Sequence, residues 1–357
     1  MNLSTTTNTA SPKKTRVLVT DDSALVRDII TMILSEDPGI EVVGQAENGQ
    51  IAIDMVKTLH PDLVTMDIMM PVMDGLTAIQ EIMAYQPTPI LVVTSSGEAE
   101  VAYKAISSGA LEVMQKPDMS AGPTEWEGFA RRVKLLSQVK VITHVRGRGG
   151  ATTQMLPFLG PAAAKAGSQG RILAIGASTG GPAALAKLLG GLPPDLNVGV
   201  VIVQHIADGF VPGLVSWLST ITMLGVKPAT DGERILAGTV YIAPTGSHTV
   251  VTGGGRLGLV SSPPVDSQRP AVDVLFESVQ EQYGQQAIAV LLTGMGRDGA
   301  RGLKGIRDAG GKTIAQDEGS CVVYGMPKAA AELGAAEQVL PLADIPRAIV
   351  QLLRKSW

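Results

Sequence analysis

Cysteine is almost absent from this chain, with one residue, Cys321, in 357. A single thiol excludes an internal disulfide and fits a reducing compartment. Cys321 sits in the apolar stretch CVVYGMP, which reads as a buried, inert thiol rather than a nucleophile. Aromatics are sparse at 3%, and the formal net charge is -4. No basic stripe with interleaved aromatics occurs, so nucleic acid is not an expected partner. No apolar run reaches the roughly 18 residues that a membrane span needs. The N-terminus MNLSTTTNTASPKK is polar and has no apolar core of a secretory signal. A cytoplasmic protein without direct membrane insertion is expected.

Glycine, by contrast, is abundant at 41 residues, pointing to tight turns and close backbone approaches. The length fits two domains. Residues 1–15 read as a disordered tail, and 143–169, rich in Gly, Ala, Pro and Thr and containing His144, as a linker. Residues 16–142 and 170–357 each alternate strand-like apolar runs with helical stretches. That alternation predicts two doubly wound α/β domains with mainly parallel sheets. The exception is GTVYIAPTGSHTVVTGGGRLGLVSS, which reads as short antiparallel strands joined by Gly turns.

In the first domain, four strand-like runs end in reactive groups. RVLVT ends in Asp21 and Asp22, LVTM in Asp67, ILVVT in Thr94 and EVMQ in Lys116. In an open parallel sheet these ends share the edge where ligands bind. Clustered carboxylates recruit a hard cation such as Mg2+, which prefers oxygen ligands. One carboxylate can then serve as nucleophile and become an aspartyl-phosphate, with lysine and hydroxyl stabilising phosphoryl charge. The bland alternative is an ordinary α/β domain with acidic loop ends.

At these residues the chain resembles a response-regulator receiver domain, a flavodoxin-like fold. The resemblance implies that Asp67 is the phosphoacceptor. It also implies that Asp21, Asp22 and Asp67 hold Mg2+, and that Thr94 and Lys116 read the phosphate. A sensor histidine kinase of the chemotaxis type would be the phosphodonor. Many receivers carry a switching aromatic three residues before the lysine; here that position is Val113, so the resemblance does not extend to that switch.

The second domain carries IGASTGGP, in which Gly176–Gly180 matches the G-x-S-x-G pattern around Ser178. The turn follows an apolar strand and precedes a helix with Pro182 in its first turn. Such a turn also suits a phosphate or dinucleotide, so the segment alone leaves both open. Two further strand ends favour a serine nucleophile: VIVQ runs into His205, and AIAVLLTGMGRDG carries Asp298 just past its strand end. Serine, histidine and aspartate at three ends of one sheet suit a Ser-His-Asp triad. The chain order differs from the α/β-hydrolase order. His248 is the rival base and Asp317 the runner-up acid. Asp273 reads as a helix cap, Asp308 as a helix-surface residue, and His60, before Pro61, belongs to the other domain. The backbone N–H groups of Thr179 and Met295 are candidate oxyanion donors.

The motifs IGASTGGP, VIVQH, VYIAP, RPAVDVLF and LLTGMGRDGARGL resemble the catalytic domain of the chemotaxis protein-glutamate methylesterases, the CheB type. A receiver in front of that domain is the same family's arrangement. The resemblance implies a phosphorylation-activated hydrolase of glutamate 5-methyl esters on chemoreceptors, which also deamidates receptor glutamines. The reaction would need no cofactor. The resemblance further implies that the receiver restrains the esterase, so removing residues 1–150 should raise basal activity. Two alternatives stand beside it. One is a phospho-regulated receptor-binding module without catalysis. The other is a nicotinamide enzyme using the GASTGG turn, which would lack an acidic residue at the second strand end, where His205 stands.

Overall fold

The computed structural model describes residues 13–117, 122–141 and 170–354. Most of the expected tail and the whole of the expected linker, residues 143–169 with His144, lie outside the described residues. The chain divides into two compact units, residues 1–91 with 116–144, and 92–115 with 145–357. Hydrogen bonding draws the line differently, because the strands at 90–94 and 112–115 belong to the first sheet.

The first sheet comprises β1 (Thr15–Thr20), β2 (Ile40–Ala46), β3 (Leu63–Met66), β4 (Ile90–Thr94) and β5 (Glu112–Gln115). Its helices are α1 (Ala24–Ser35), α2 (Gly49–Leu59), α3 (Gly75–Tyr85), α4 (Ala99–Ser107) and α5 (Pro123–Leu136). The strand order is β2-β1-β3-β4-β5, the flavodoxin-like order expected from sequence. β3 and β4 are buried along their whole length, which is why they read as continuous apolar runs rather than alternating ones. Side-chain oxygens start three helices. Ser23, Asn48 and Asp74 accept the backbone N–H of Val26, Ile51 and Thr77, satisfying donors that the helix leaves open. Strand order reverses between β1 and β3, so the crevice falls at the ends that carry Asp21 and Asp67.

The second sheet draws on β6 (Ile172–Ala177), β7 (Gly199–Gln204), β8 (Gly225–Pro228) and β9 (Thr239–Ile242). A hairpin of β10 (His248–Thr252) and β11 (Arg256–Val260) follows, and then β12 (Ala287–Leu291), β13 (Lys312–Gln316) and β14 (Gln338–Leu340) complete the sheet. Its helices are α6 (Gly181–Gly190), α7 (Val211–Ser219), α8 (Val272–Tyr283), α9 (Ala300–Asp308), α10 (Met326–Glu332) and α11 (Ile345–Arg354). Seven strands run in the order β14-β13-β12-β6-β7-β9-β8, and every pair is parallel.

The expected antiparallel segment needs correcting in part. β10 and β11 are antiparallel, but VYIA enters the main sheet as β9, parallel to β7 and β8. The intervening β8, exposed at both ends and half-buried between, has no recognisable apolar run. β6, β7 and β12 are fully buried, and Val272, Leu275, Phe276 and Val279 of α8 seal one face of the core. The strand order reverses between β6 and β12. The residues just past those two strands therefore border the crevice of an open α/β sheet.

Candidate active site

Ser178 stands immediately past β6. Its N–H donates to the Thr293 carbonyl at 3.0 Å, tying it to the chain beyond β12. Gly180 opens α6 at φ +74, a left-handed conformation that glycine adopts without strain. A Cβ on Gly294 would lie 2.7 Å from that of Ser178, so this glycine lets the two strand ends close up. The Ser178 carbonyl accepts the Gly181 N–H at 2.7 Å and the Gln204 side-chain amide at 2.8 Å.

His205 follows β7, opposite Ser178 in the parallel register, since Ala177 pairs with Gln204. Its Nε2 lies 2.8 Å from Asp298 Oδ2. A carboxylate only accepts, so Nε2 carries the proton and Nδ1 is left as the basic nitrogen. Both side chains are buried. Asp298 is fixed by the start of α8: Oδ2 also accepts the Val272 N–H at 2.7 Å, and Oδ1 the Asp273 N–H at 2.8 Å. Burial pushes this carboxyl up, but the His205 hydrogen bond and charge and the two N–H groups outweigh it. The net direction is below the usual carboxylate range. The pair thus offers an anion that can support an imidazolium. Among the described residues no hydrogen bond joins the Ser178 hydroxyl to the His205 ring. Such bonds often tighten only with substrate bound.

The competing residues are placed elsewhere. His248 is buried in β10, its ring taken up by the Ala271 N–H and the Pro263 carbonyl. His60 ends α2 and its Nδ1 meets the Gln86 amide. Asp317 caps a short turn through the Ser320 N–H, and Asp308 ends α9. Asp273 is not the cap of its own helix; its Oδ1 accepts the Gly302 N–H in α9. Cys321 is half-buried rather than buried, and burial pushes its thiol up to about 12, well outside the range of a reactive thiolate. Thr179 and Met295 flank the crevice, the former with its carbonyl held by the Thr293 hydroxyl at 2.9 Å.

Sequence reasoning missed two bracing residues. Gln204 is buried, and its amide donates to the carbonyls of both Ser178 and His205, at 2.8 and 3.0 Å. Thr293 links the turns after β6 and β12. Each has one faint signal, a polar side chain at the end of an otherwise apolar strand.

In the first unit, Asp21, Asp22 and Asp67 bring ligand oxygens within 4.8 Å of one another. Lys116 Nζ lies 2.8 Å from Asp21 Oδ2 and 3.0 Å from Asp67 Oδ2. Burial raises the Asp67 carboxyl to about 6, with Asp21 adding to the rise and Lys116 opposing it. Burial pulls the Lys116 ammonium down, but Asp21 and Asp67 reverse that and hold it above its usual value. Asp67 Oδ1 is buried with no hydrogen-bond partner. A buried, unpartnered carboxylate oxygen beside two more carboxylates fits a hard divalent cation. Thr94 is occupied by a different partner, its hydroxyl donating to the Glu98 carboxylate.

Comparison with known proteins follows the same division. Residues 17–121 match the response regulator receiver domain family, and residues 173–349 the CheB methylesterase family. A protein-glutamate methylesterase/protein-glutamine glutaminase 2 of Anaeromyxobacter dehalogenans is 47% identical over 95% of this chain and 97% of its own. A protein-glutamate methylesterase/protein-glutamine glutaminase 4 of Geobacter metallireducens is 44% identical over 94% and 98%. The crystal structure of the Thermotoga maritima CheB methylesterase catalytic domain superposes with a TM-score of 0.51 at 40% identity, covering 52% of this chain and all of that one. With a receiver region, a CheB methylesterase region and relatives aligned almost end to end, the chain belongs to the protein-glutamate methylesterase/protein-glutamine glutaminase family.

Proposed function

We propose that this chain is a phosphorylation-activated hydrolase that removes methyl groups from glutamate 5-methyl esters of chemoreceptors and deamidates receptor glutamines. The observation that carries the reading is the buried His205–Asp298 pair at 2.8 Å, beside a serine held in a nucleophile turn. In this scheme the Ser178 hydroxyl attacks the ester carbonyl while His205 Nδ1 takes its proton. Asp298 supports the imidazolium through Nε2. The backbone N–H groups of Thr179 and Met295 receive the developing oxyanion. Collapse expels methoxide, which leaves as methanol with the proton from His205. Water, deprotonated by the same imidazole, then splits the glutamyl-serine ester and restores both glutamate and Ser178. A glutamine side chain follows the same path and loses ammonia. No cofactor enters these steps.

The regulatory half of the reading places the phosphoryl group on Asp67, delivered by a chemotaxis-type histidine kinase. Asp21, Asp22 and Asp67 would hold Mg2+, which would screen charge between the carboxylate and the incoming phosphoryl oxygens. Lys116, already paired with Asp67, would bind one phosphoryl oxygen, and Thr94 would exchange Glu98 for another. Residues 16–142 and 170–357 are the domains assigned to these two roles.

Methanol release from a methylated receptor fragment tests the reading, measured with and without Mg2+ and a small phosphodonor. Release that rises with the donor is the expected result. Absence of release under both conditions would favour a receptor-binding module without catalysis.

A further inference from the structure

The catalytic acid in this reading, Asp298, has no choice of orientation, because two N–H groups of the α8 start address its two oxygens. That places a demand on Ala271, Val272 and Asp273, the residues at which α8 begins. Helix starts fray unless something holds them, and Ala271, the N-cap, makes no side-chain cap bond. Asp298 accepts its next two N–H groups and the Asp273 side chain ties it to α9; the N-cap itself is held by His248. The Ala271 N–H donates to His248 Nδ1 at 3.1 Å, and the opposite ring nitrogen, Nε2, lies 3.0 Å from the Pro263 carbonyl. A carbonyl only accepts, so Nε2 carries the proton and Nδ1 is free to accept. The ring is fully buried, and both nitrogens are used. It bridges the chain that leaves β11 and the chain that enters α8.

We propose that His248 is a positioning residue for the esterase reaction. As a neutral imidazole it clamps the start of α8, so that the Val272 and Asp273 N–H groups hold Asp298 against His205. This inference rests on the triad reading above. It differs from a packing role in one respect: only the acceptor at Nδ1 matters to Asp298, whereas packing depends on the whole ring. Asparagine can place an acceptor close to the Nδ1 position, and glutamine reaches only the Nε2 position. His248→Asn should therefore keep the clamp, and His248→Gln should leave the Ala271 N–H without its partner.

The test is the rate at which a fluorophosphonate probe labels Ser178 in the full-length chain, with Mg2+ and acetyl phosphate present. Misplacing a catalytic group by about 1 Å costs on the order of a hundredfold. His248→Gln is therefore expected to label about ten- to a hundredfold more slowly, at unchanged probe affinity, and His248→Asn within about threefold of wild type. Equal rates for wild type and His248→Gln would overturn the inference, as would equal losses in both variants. A second measurement needs no variant. The 15N shifts of the His248 ring in the wild-type chain should show a proton on Nε2 and none on Nδ1 at neutral pH. A proton on Nδ1 would overturn the clamp. Wild-type protein that the probe does not label at all would sink the triad reading itself, a failure distinct from any difference between the variants.

Discussion

Asp67→Asn should stabilise the first sheet at neutral pH, by an amount that grows as pH rises. Burial, joined by Asp21 and opposed by Lys116, raises the Asp67 carboxyl from 3.8 to about 6. Its folded value lies above its unfolded value, so the folded state binds the proton more tightly. Stability from this group is full below about pH 4, falls as pH rises toward about 6, and stays lost above it. A rise from 3.8 to about 6 corresponds to about 3 kcal/mol at about 1.4 kcal/mol per pH unit. Asn is uncharged and keeps nearly the same shape, so it escapes this cost. Near pH 4 the two proteins should be almost equally stable; near pH 7 the variant should lead by up to about 3 kcal/mol.

Native-state amide exchange of β1 and β3, measured in metal-free buffer across that range, reads the difference. Subtracting one protein from the other cancels the other titrating groups. Saturating Mg2+ should narrow the gap, because a cation bound by the wild-type carboxylate stabilises only the folded state. A gap that is flat with pH, or a variant less stable at pH 7, would refute the reasoning, since either means that the Asp67 charge is not the burden described.

Other outcomes follow from the second unit. Ser178→Ala should lower methanol release at least about a thousandfold, and near-normal release would remove Ser178 from the mechanism. Asp298→Asn can keep its oxygen toward His205 and Val272 only by turning its NH2 toward the Asp273 N–H. It should lose about four orders of magnitude in turnover, as triad acids do, and about 1–3 kcal/mol of stability from the buried unpartnered donor; kinetics and urea unfolding check the two parts. Gly294→Ala would press a methyl against the Ser178 Cβ at 2.7 Å. Overpacking of about 1–3 kcal/mol and a rate loss near a hundredfold are expected, read by thermal melting and probe labelling.

The local order of this chain was open to reading because its strands are short, apolar and bounded by turns. Asp67, Lys116, Ser178, His205 and Asp298 each announce themselves at or just past such an end, and glycine at 180 marks the turn that carries the serine. The partnership of His205 and Asp298, 93 residues apart, is expected from the strand ends that carry them, but the order that sets β12 beside β6 is a choice that no local pattern encodes. VYIA reads as part of an antiparallel run because alternation and Gly turns look alike in both settings; the structure pairs it in parallel with β7 and β8. Gln204 reads as an ordinary residue, and His248 as a rival base rather than a brace, until their hydrogen-bond partners are known.

By itself, then, the sequence determined the two α/β patterns, the residue types at their strand ends and the family those motifs resemble. These depend on hydrophobic period and turn chemistry, which act over a few residues. Only the tertiary structure decided that Asp298 is gripped by the start of α8, that His248 holds that start, and that burial raises the Asp67 carboxyl to about 6. Those properties arise from burial and from bonds between segments far apart in sequence, and they come into being when the sheets close.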